Sequence, residues 1–139
     1  MTLSSRVLAI DYGTKRVGIA VSDPLGLTAQ PLPFIPNNDN LMDTLLELIT
    51  EKEVSTILVG LPKQLNGQDS QFTGTVREFT ELLKQHTSCD VLFQDERLSS
   101  QAVNRTLIDA DVSRKKRKQV VDSMAAAFVL QGYLDSKPS

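Results

Sequence analysis

Three carboxylates in this 139-residue chain stand where a carboxylate is expensive. Asp11 closes the apolar run Val7-Leu8-Ala9-Ile10. A run this short, with Gly13 beyond it, fits a buried strand better than a helix. A charge at the end of a buried strand is costly unless something pairs with it. A metal ion, a basic side chain, or a phosphate with its counter-ion could do so. Glu96 lies in Asp95-Glu96-Arg97-Leu98, just past the apolar segment Val91-Leu92-Phe93. In open α/β sheets, sites form beyond the carboxyl ends of parallel strands. If the first and last strands share a direction, Asp11 and Glu96 therefore reach the same edge. Asp122 sits inside Val120-Val121-Asp122-Ser123-Met124-Ala125-Ala126-Ala127-Phe128-Val129-Leu130. A helix apolar almost all round is buried, and a carboxylate within one is rarely left without a partner. The small residues Ala125, Ala126 and Ala127 let such a helix pack close to a sheet, bringing Asp122 near Asp11. The plainer alternatives are a solvated Asp-Glu-Arg turn for Glu96, and an outward-facing or capping Asp122.

Three acids at one sheet edge repel unless cations fill the space between them. Hard oxygen ligands without His or Cys favour Mg²⁺ or Mn²⁺. Two such ions about 3.5–4 Å apart can clamp a phosphodiester, one activating water and the other stabilising the leaving oxygen. A phosphate backbone would also explain Arg114-Lys115-Lys116-Arg117-Lys118, which holds five of the fifteen Lys and Arg residues. Without it, ten basic residues face seventeen acidic ones, so an acidic chain of net charge −2 carries one concentrated basic patch. Lys118 is four residues before Asp122 and Lys115 seven, so on one continuous helix all three share a face. Positive charge at a helix N-terminus opposes the macrodipole by roughly 0.3–1 kcal/mol per charge, so helix stability does not explain the run. A solvated loop is the alternative.

The elements that must position these groups can be read in order. Residues 6–11 and 16–23 are two strands, with Gly13 supplying a positive φ for the turn between them and Gly18 suggesting a bulge or close approach. Pro24-Leu25-Gly26 turns the chain. Leu27 to Ile35 is a third strand, placed at a sheet edge by Pro31 and Pro33, which cannot donate to a ladder. Asn37-Asn38-Asp39 can cap a helix whose face is Leu41, Leu45, Leu48 and Ile49, ending near Lys52. Val54 to Gly60 is a β-branched strand, and Leu61 to Gln68 a loop. A second helix presents Phe72, Val76, Phe79 and Leu83, and Val91-Leu92-Phe93 is the last strand. Ser99 or Ser100 caps a short helix with Val103 and Leu107, and a final helix runs from about Lys116 to Leu134. The order β-β-β-α-β-α-β-α-α gives an α/β fold: three antiparallel strands and two further strands in a mixed sheet, with helices packed on it. His86 near a helix C-terminus and Cys89 at the last strand read as structural. Tyr12 could stack on a base or cover the turn.

The length suits one domain, residues 1–139, and the 40% hydrophobic content is that of a globular chain. No apolar run is long enough to span a bilayer and no leader opens the chain, so a cytoplasmic protein without a membrane partner is expected. A single cysteine excludes an internal disulfide and a cysteine-cluster zinc site. With 5% aromatics and no Trp, the stacking platforms of single-strand binders are not expected.

Four blocks in this order resemble the YqgF family. They are Ala9-Ile10-Asp11-Tyr12-Gly13-Thr14-Lys15-Arg16-Val17-Gly18; Val59-Gly60-Leu61-Pro62 with Asn66-Gly67; Asp95-Glu96-Arg97-Leu98-Ser99-Ser100; and Asp122-Ser123-Met124-Ala125-Ala126 with Leu130-Gln131. The family comprises ribonuclease H-like proteins described as Holliday-junction resolvases and as nucleases processing the 5′ end of pre-16S ribosomal RNA. The resemblance covers nearly the whole chain and implies a ribonuclease H-like fold. It implies that Asp11, Glu96 and Asp122 are metal-binding catalytic acids, with Asp11 bridging two Mg²⁺ or Mn²⁺ ions. It makes Lys15, Arg16 and Arg97 substrate contacts, beside Lys115 and Lys118 from the basic run. Lys63-Gln64 stands where the family pattern has an apolar-polar pair before Asn66. The expected partners are nucleic acid, as precursor ribosomal RNA or branched DNA, and the small ribosomal subunit, with the chain a monomer or weak homodimer. Two other classes compete. One is a non-catalytic RNA-binding assembly factor on a nuclease scaffold. The other is an actin-like ATPase, suggested by Asp11-Tyr12-Gly13-Thr14-Lys15, but 139 residues supply only one of the two domains that class needs.

Overall fold

The computed structural model describes residues 6–62, 70–95 and 114–136. Its elements are β1 (Arg6–Asp11), β2 (Arg16–Ser22), β3 (Ala29–Pro36), α1 (Leu41–Glu51), β4 (Val54–Leu61), α2 (Gln71–His86), β5 (Asp90–Asp95) and α3 (Arg114–Ser136). The strands form one mixed sheet in the order β3-β2-β1-β4-β5. β1, β2 and β3 pair antiparallel, while β4 runs parallel to β1 and β5 parallel to β4. This is the α/β sheet the residue pattern predicts, and β3, with Pro31 and Pro33, is at an edge as expected. The expected helix with Val103 and Leu107 lies outside the described residues.

Alternation along the strands gives the sheet two unlike faces. Leu8, Ile10, Val17, Ile19, Ile57 and Val59 join Leu45 of α1 and Val76 and Leu83 of α2 in a large core. Each such fully buried aliphatic side chain is worth about 1.5–3 kcal/mol. The other face carries Ala9, Ala20 and Leu58 against Ala126, Ala127 and Leu130 of α3. Alanine opposite alanine lets helix and sheet backbones approach closely, the role the sequence assigned to the alanine run.

Local chemistry sets the ends of the elements. Ser70 caps α2: its hydroxyl accepts from the Thr73 N–H at 3.3 Å, and Thr73 Oγ1 accepts from the Ser70 N–H at 2.9 Å. The Thr73 hydroxyl also donates to the Pro62 carbonyl, tying the start of α2 to the end of β4. α1 departs from expectation. Its N-cap is Asn40, with no side-chain capping bond. Asn38 instead accepts from the Asn40 N–H at 2.9 Å, and Asn37 is committed elsewhere. Asp23 organises the β2–β3 turn by accepting from Leu25, Leu27 and Thr28 N–H groups. Gly26 in that turn has φ +74, the left-handed region that favours glycine.

Candidate functional site

The carboxyl ends of the three parallel strands β1, β4 and β5 lie along one edge of the sheet, so Asp11, Leu61 and Asp95 close the same edge. β1 and β5 therefore run in the same direction, the condition on which the expected meeting of Asp11 with Glu96 depends. Alternation places Asp11 on the face of Ala9, the face that α3 covers. Its registered neighbour on β2 is Gly18. On β4, Gly60 follows Val59, the partner of Ile10. Asp11 thus stands between two strand positions that carry no side chain. The sequence places Gly60 at the end of a strand and in a family block without a role, and the signal for one is a glycine closing a β-branched run at the depth of an acidic strand end.

The turn after Asp11 is rigidly built. Gly13 does not have a positive φ, contrary to expectation; among the described glycines only Gly26 does. Glycine is required there because a Cβ would lie 2.4 Å from the Arg16 carbonyl oxygen. Asn37 clamps the same turn, its Nδ2 donating to Gly13 O at 2.7 Å and its backbone N–H to Lys15 O at 2.9 Å. Lys15 is exposed, and the Arg16 guanidinium lies 5.2 Å from the Phe34 ring centre. Tyr12 stacks on Phe79 at 4.4 Å and on Phe72 at 6.3 Å, so its ring buttresses the turn against α2.

α3 begins at Arg114, so the basic run forms its first turns instead of preceding it. Lys115, Lys118 and Asp122 fall on one stripe of a continuous helix, and Asp122 lies eight residues inside, too deep to cap it. The next residue, Ser123, is fully buried. Its hydroxyl accepts from the Ile19 N–H at 3.2 Å and donates to the Leu32 carbonyl. Ile19 and Leu32 are registered partners on β2 and β3, at a register shift between Val17 and Ile19. The irregularity suggested by Gly18 is located there. Ile19 adjoins Gly18, and Gly18 faces Asp11. The backbone of α3 at Asp122 is consequently tied, through Ser123, to the strand beside Asp11. Gln131 makes a second clamp, accepting from Ala29 N–H and donating to Leu27 O, both at 3.0 Å.

Glu96, Arg97 and the loop residues Lys63, Gln64, Asn66 and Gly67 lie outside the described residues, as do the side chains of Lys115, Lys118 and Asp122. Among the described residues there is no group of three acids, His or Cys able to hold a metal. The donor chemistry of Asp11 fits a hard divalent cation. His86 closes α2 with Nδ1 2.9 Å from Leu82 O, and the Cys89 thiol donates to Val54 O at 3.2 Å, structural settings for both. Among the described residues no helix is long and apolar enough to cross a membrane.

The family model described as RuvX, Holliday junction resolvase, matches residues 5–136. Proteins of Bacillus thuringiensis (strain Al Hakam) and Bacillus anthracis (strain CDC 684 / NRRL 3495), named as candidate pre-16S rRNA nucleases, are each 48% identical over 136 residues. Each match covers 95% of this chain and 99% of the relative. Among solved structures, the fowlpox virus Holliday junction resolvase is similar at a TM-score of 0.58 with 16% identity, over 95% of this chain and 99% of that one. Thermus thermophilus RuvC in complex with a Holliday junction substrate is similar at 0.58 with 13% identity, over 95% and 97%. At these identities the likeness is one of fold, the ribonuclease H-like sheet of RuvC-type resolvases.

Proposed function

This chain belongs to the RuvX Holliday junction resolvase family, and from that membership we propose a metal-dependent nuclease that hydrolyses phosphodiester bonds of precursor 16S ribosomal RNA. Nuclease chemistry follows the family and its relatives. The choice of RNA rests on the names of relatives 48% identical over nearly the full chain. The carrying observation is Asp11 at the carboxyl edge of β1, between Gly18 and Gly60, with α3 anchored beside it one residue after Asp122.

Asp11, Glu96 and Asp122 would hold two divalent ions, Mg²⁺ or Mn²⁺, which when bound supply charge stabilisation and water of lowered pKa. The glycine floor beside Asp11 leaves room for a phosphate to approach the sheet edge. Lys15 and Arg16, on the clamped turn, and Arg97, Lys115 and Lys118 would hold the nucleic-acid backbone. Water attacks phosphorus in line, the P–O3′ bond breaks, and the products carry a 5′-phosphate and a 3′-hydroxyl. The small ribosomal subunit would present the substrate, in the cytoplasm, to a monomer or weak dimer.

A second reading, resolution of four-way DNA, is favoured by the family description. One experiment separates the two: paired cleavage of a 5′-extended 16S ribosomal RNA fragment and a four-way DNA junction, in Mg²⁺ and in Mn²⁺, with Asp11→Asn as control. RNA cutting that vanishes in Asp11→Asn supports the processing nuclease. Junction cutting alone establishes the resolvase. RNA binding without any cutting makes the chain an assembly factor and refutes the enzyme.

A further inference from the structure

We propose that Ser123 is a positioning residue, whose buried hydroxyl, wedged between β2 and β3, fixes the register of α3 along the sheet and so sets Asp122 relative to Asp11. The inference rests on the reading that these two acids share one site.

The face on which α3 lies is made of alanines and leucines, Ala9, Ala20 and Leu58 against Ala126, Ala127 and Leu130. Apolar contact is non-directional. A surface of such small side chains resists a slide of the helix weakly. Hydrogen bonds are directional and short-ranged. Ser123 and Gln131 of α3 make them to the backbone of the hairpin below, Ser123 to Ile19 and Leu32, and Gln131 to Ala29 and Leu27. Ser123 is fully buried, so water cannot replace it. Its partners belong to strands already shifted in register at that point. A hydroxyl at position 123 is thus seated on the backbone next to Gly18, the registered neighbour of Asp11. One residue of helical slip corresponds to about 1.5 Å along the axis. A displacement of about 1 Å at reacting groups can cost on the order of 10²-fold in rate.

Gln131 provides the internal control. It clamps the same helix to the same hairpin, eight residues further from the proposed acids, so it shares the anchoring role without the adjacency. The test uses the full chain as wild type, Ser123→Ala, Ser123→Cys, Gln131→Ala and Asp11→Asn. Three quantities are read: thermal midpoint, affinity for Mn²⁺ alone by calorimetry, and kcat and KM on the 5′-extended RNA fragment. Ser123→Ala should lose on the order of 30–100-fold in kcat with KM little changed, and bind Mn²⁺ about tenfold more weakly. Gln131→Ala should lower the midpoint comparably and keep kcat and Mn²⁺ affinity within about twofold. Should Ser123→Ala fail to fold, Ser123→Cys keeps a weaker donor and acceptor at the same place, and an intermediate loss of kcat is expected. Full kcat and Mn²⁺ affinity in a folded Ser123 variant, while Asp11→Asn is inactive, would overturn the inference alone. An Asp11→Asn variant that still cuts and binds Mn²⁺ would instead overturn the site reading beneath it.

Discussion

Replacing Gly13 with alanine sets two effects of opposite sign against each other. Alanine restricts the unfolded chain and, where the native backbone accepts it, stabilises by about 0.4–1 kcal/mol. At Gly13 the new Cβ would lie 2.4 Å from the Arg16 carbonyl oxygen, where ordinary contact begins at 3.4 Å. The obstructing atom is backbone, and its turn is held by Asn37 through bonds of 2.7 and 2.9 Å. It cannot swing aside as a flexible side chain would. Forcing groups together in this way costs about 1–3 kcal/mol. The clash should win, giving a net loss of about 1–2 kcal/mol. Gly74 is the counter-case: it is exposed within α2, and a Cβ there meets nothing within 4 Å. Gly74→Ala should therefore gain about 0.5–1 kcal/mol. Both are measured by urea unfolding without metal. A Gly13→Ala protein as stable as wild type would refute the reasoning, because the turn would then be free to yield. The same variant should weaken RNA binding, since Lys15 and Arg16 ride on that turn.

Three further outcomes are expected. Leu130→Ala removes a fully buried side chain whose neighbours are mostly alanines, unable to fill the space; unfolding should show a loss of about 3–5 kcal/mol, and less than 2 would mean that α3 settles into the gap. Bonds from Thr28, then Leu27 and Leu25, hold the Asp23 carboxyl below its ordinary 3.8. A depressed acid stabilises the fold above its unfolded value and loses that contribution as pH falls through the folded one. Asp23→Asn should thus be less stable than wild type at neutral pH, with the gap closing as a urea series is taken below the carboxylate range. Changing Lys115 and Lys118 together to alanine should flatten the dependence of log K on log salt for single-stranded RNA by about 1.4, and an unchanged slope would return the run to a solvated role.

Much of this architecture is visible in the chain because its signals are local. The faces of α1 and α2 recur at helical spacing with solvent opposite, and Pro31 and Pro33 mark an edge by what their nitrogens cannot do. What was missed depends on distant partners. Asn37 looks like a helix cap because capping residues are recognised by the few positions that follow, yet it clamps Gly13, twenty-four residues back. Gly13 suggested a special backbone angle, whereas its constraint is a carbonyl across the turn. Ser123 stands in the family block beside Asp122, but its partners are about a hundred residues away in sequence, so nothing local assigns its hydroxyl a role. The acids themselves were legible as types in costly places.

The bond between Ile19 and Ser123 spans 104 residues. At about 5–20 residues per second a ribosome takes on the order of 5–20 s to travel that far. The helix bearing Asp122 is made more than a hundred residues after the strand bearing Asp11. β1, β2 and β3 can pair while the sheet is still growing, but their alanine face stays uncovered until α3 arrives. Completion of the proposed site thereby waits for α3. On the proposed site, the chain would lack cutting activity until α3 is made, with no inhibitor needed to keep it so.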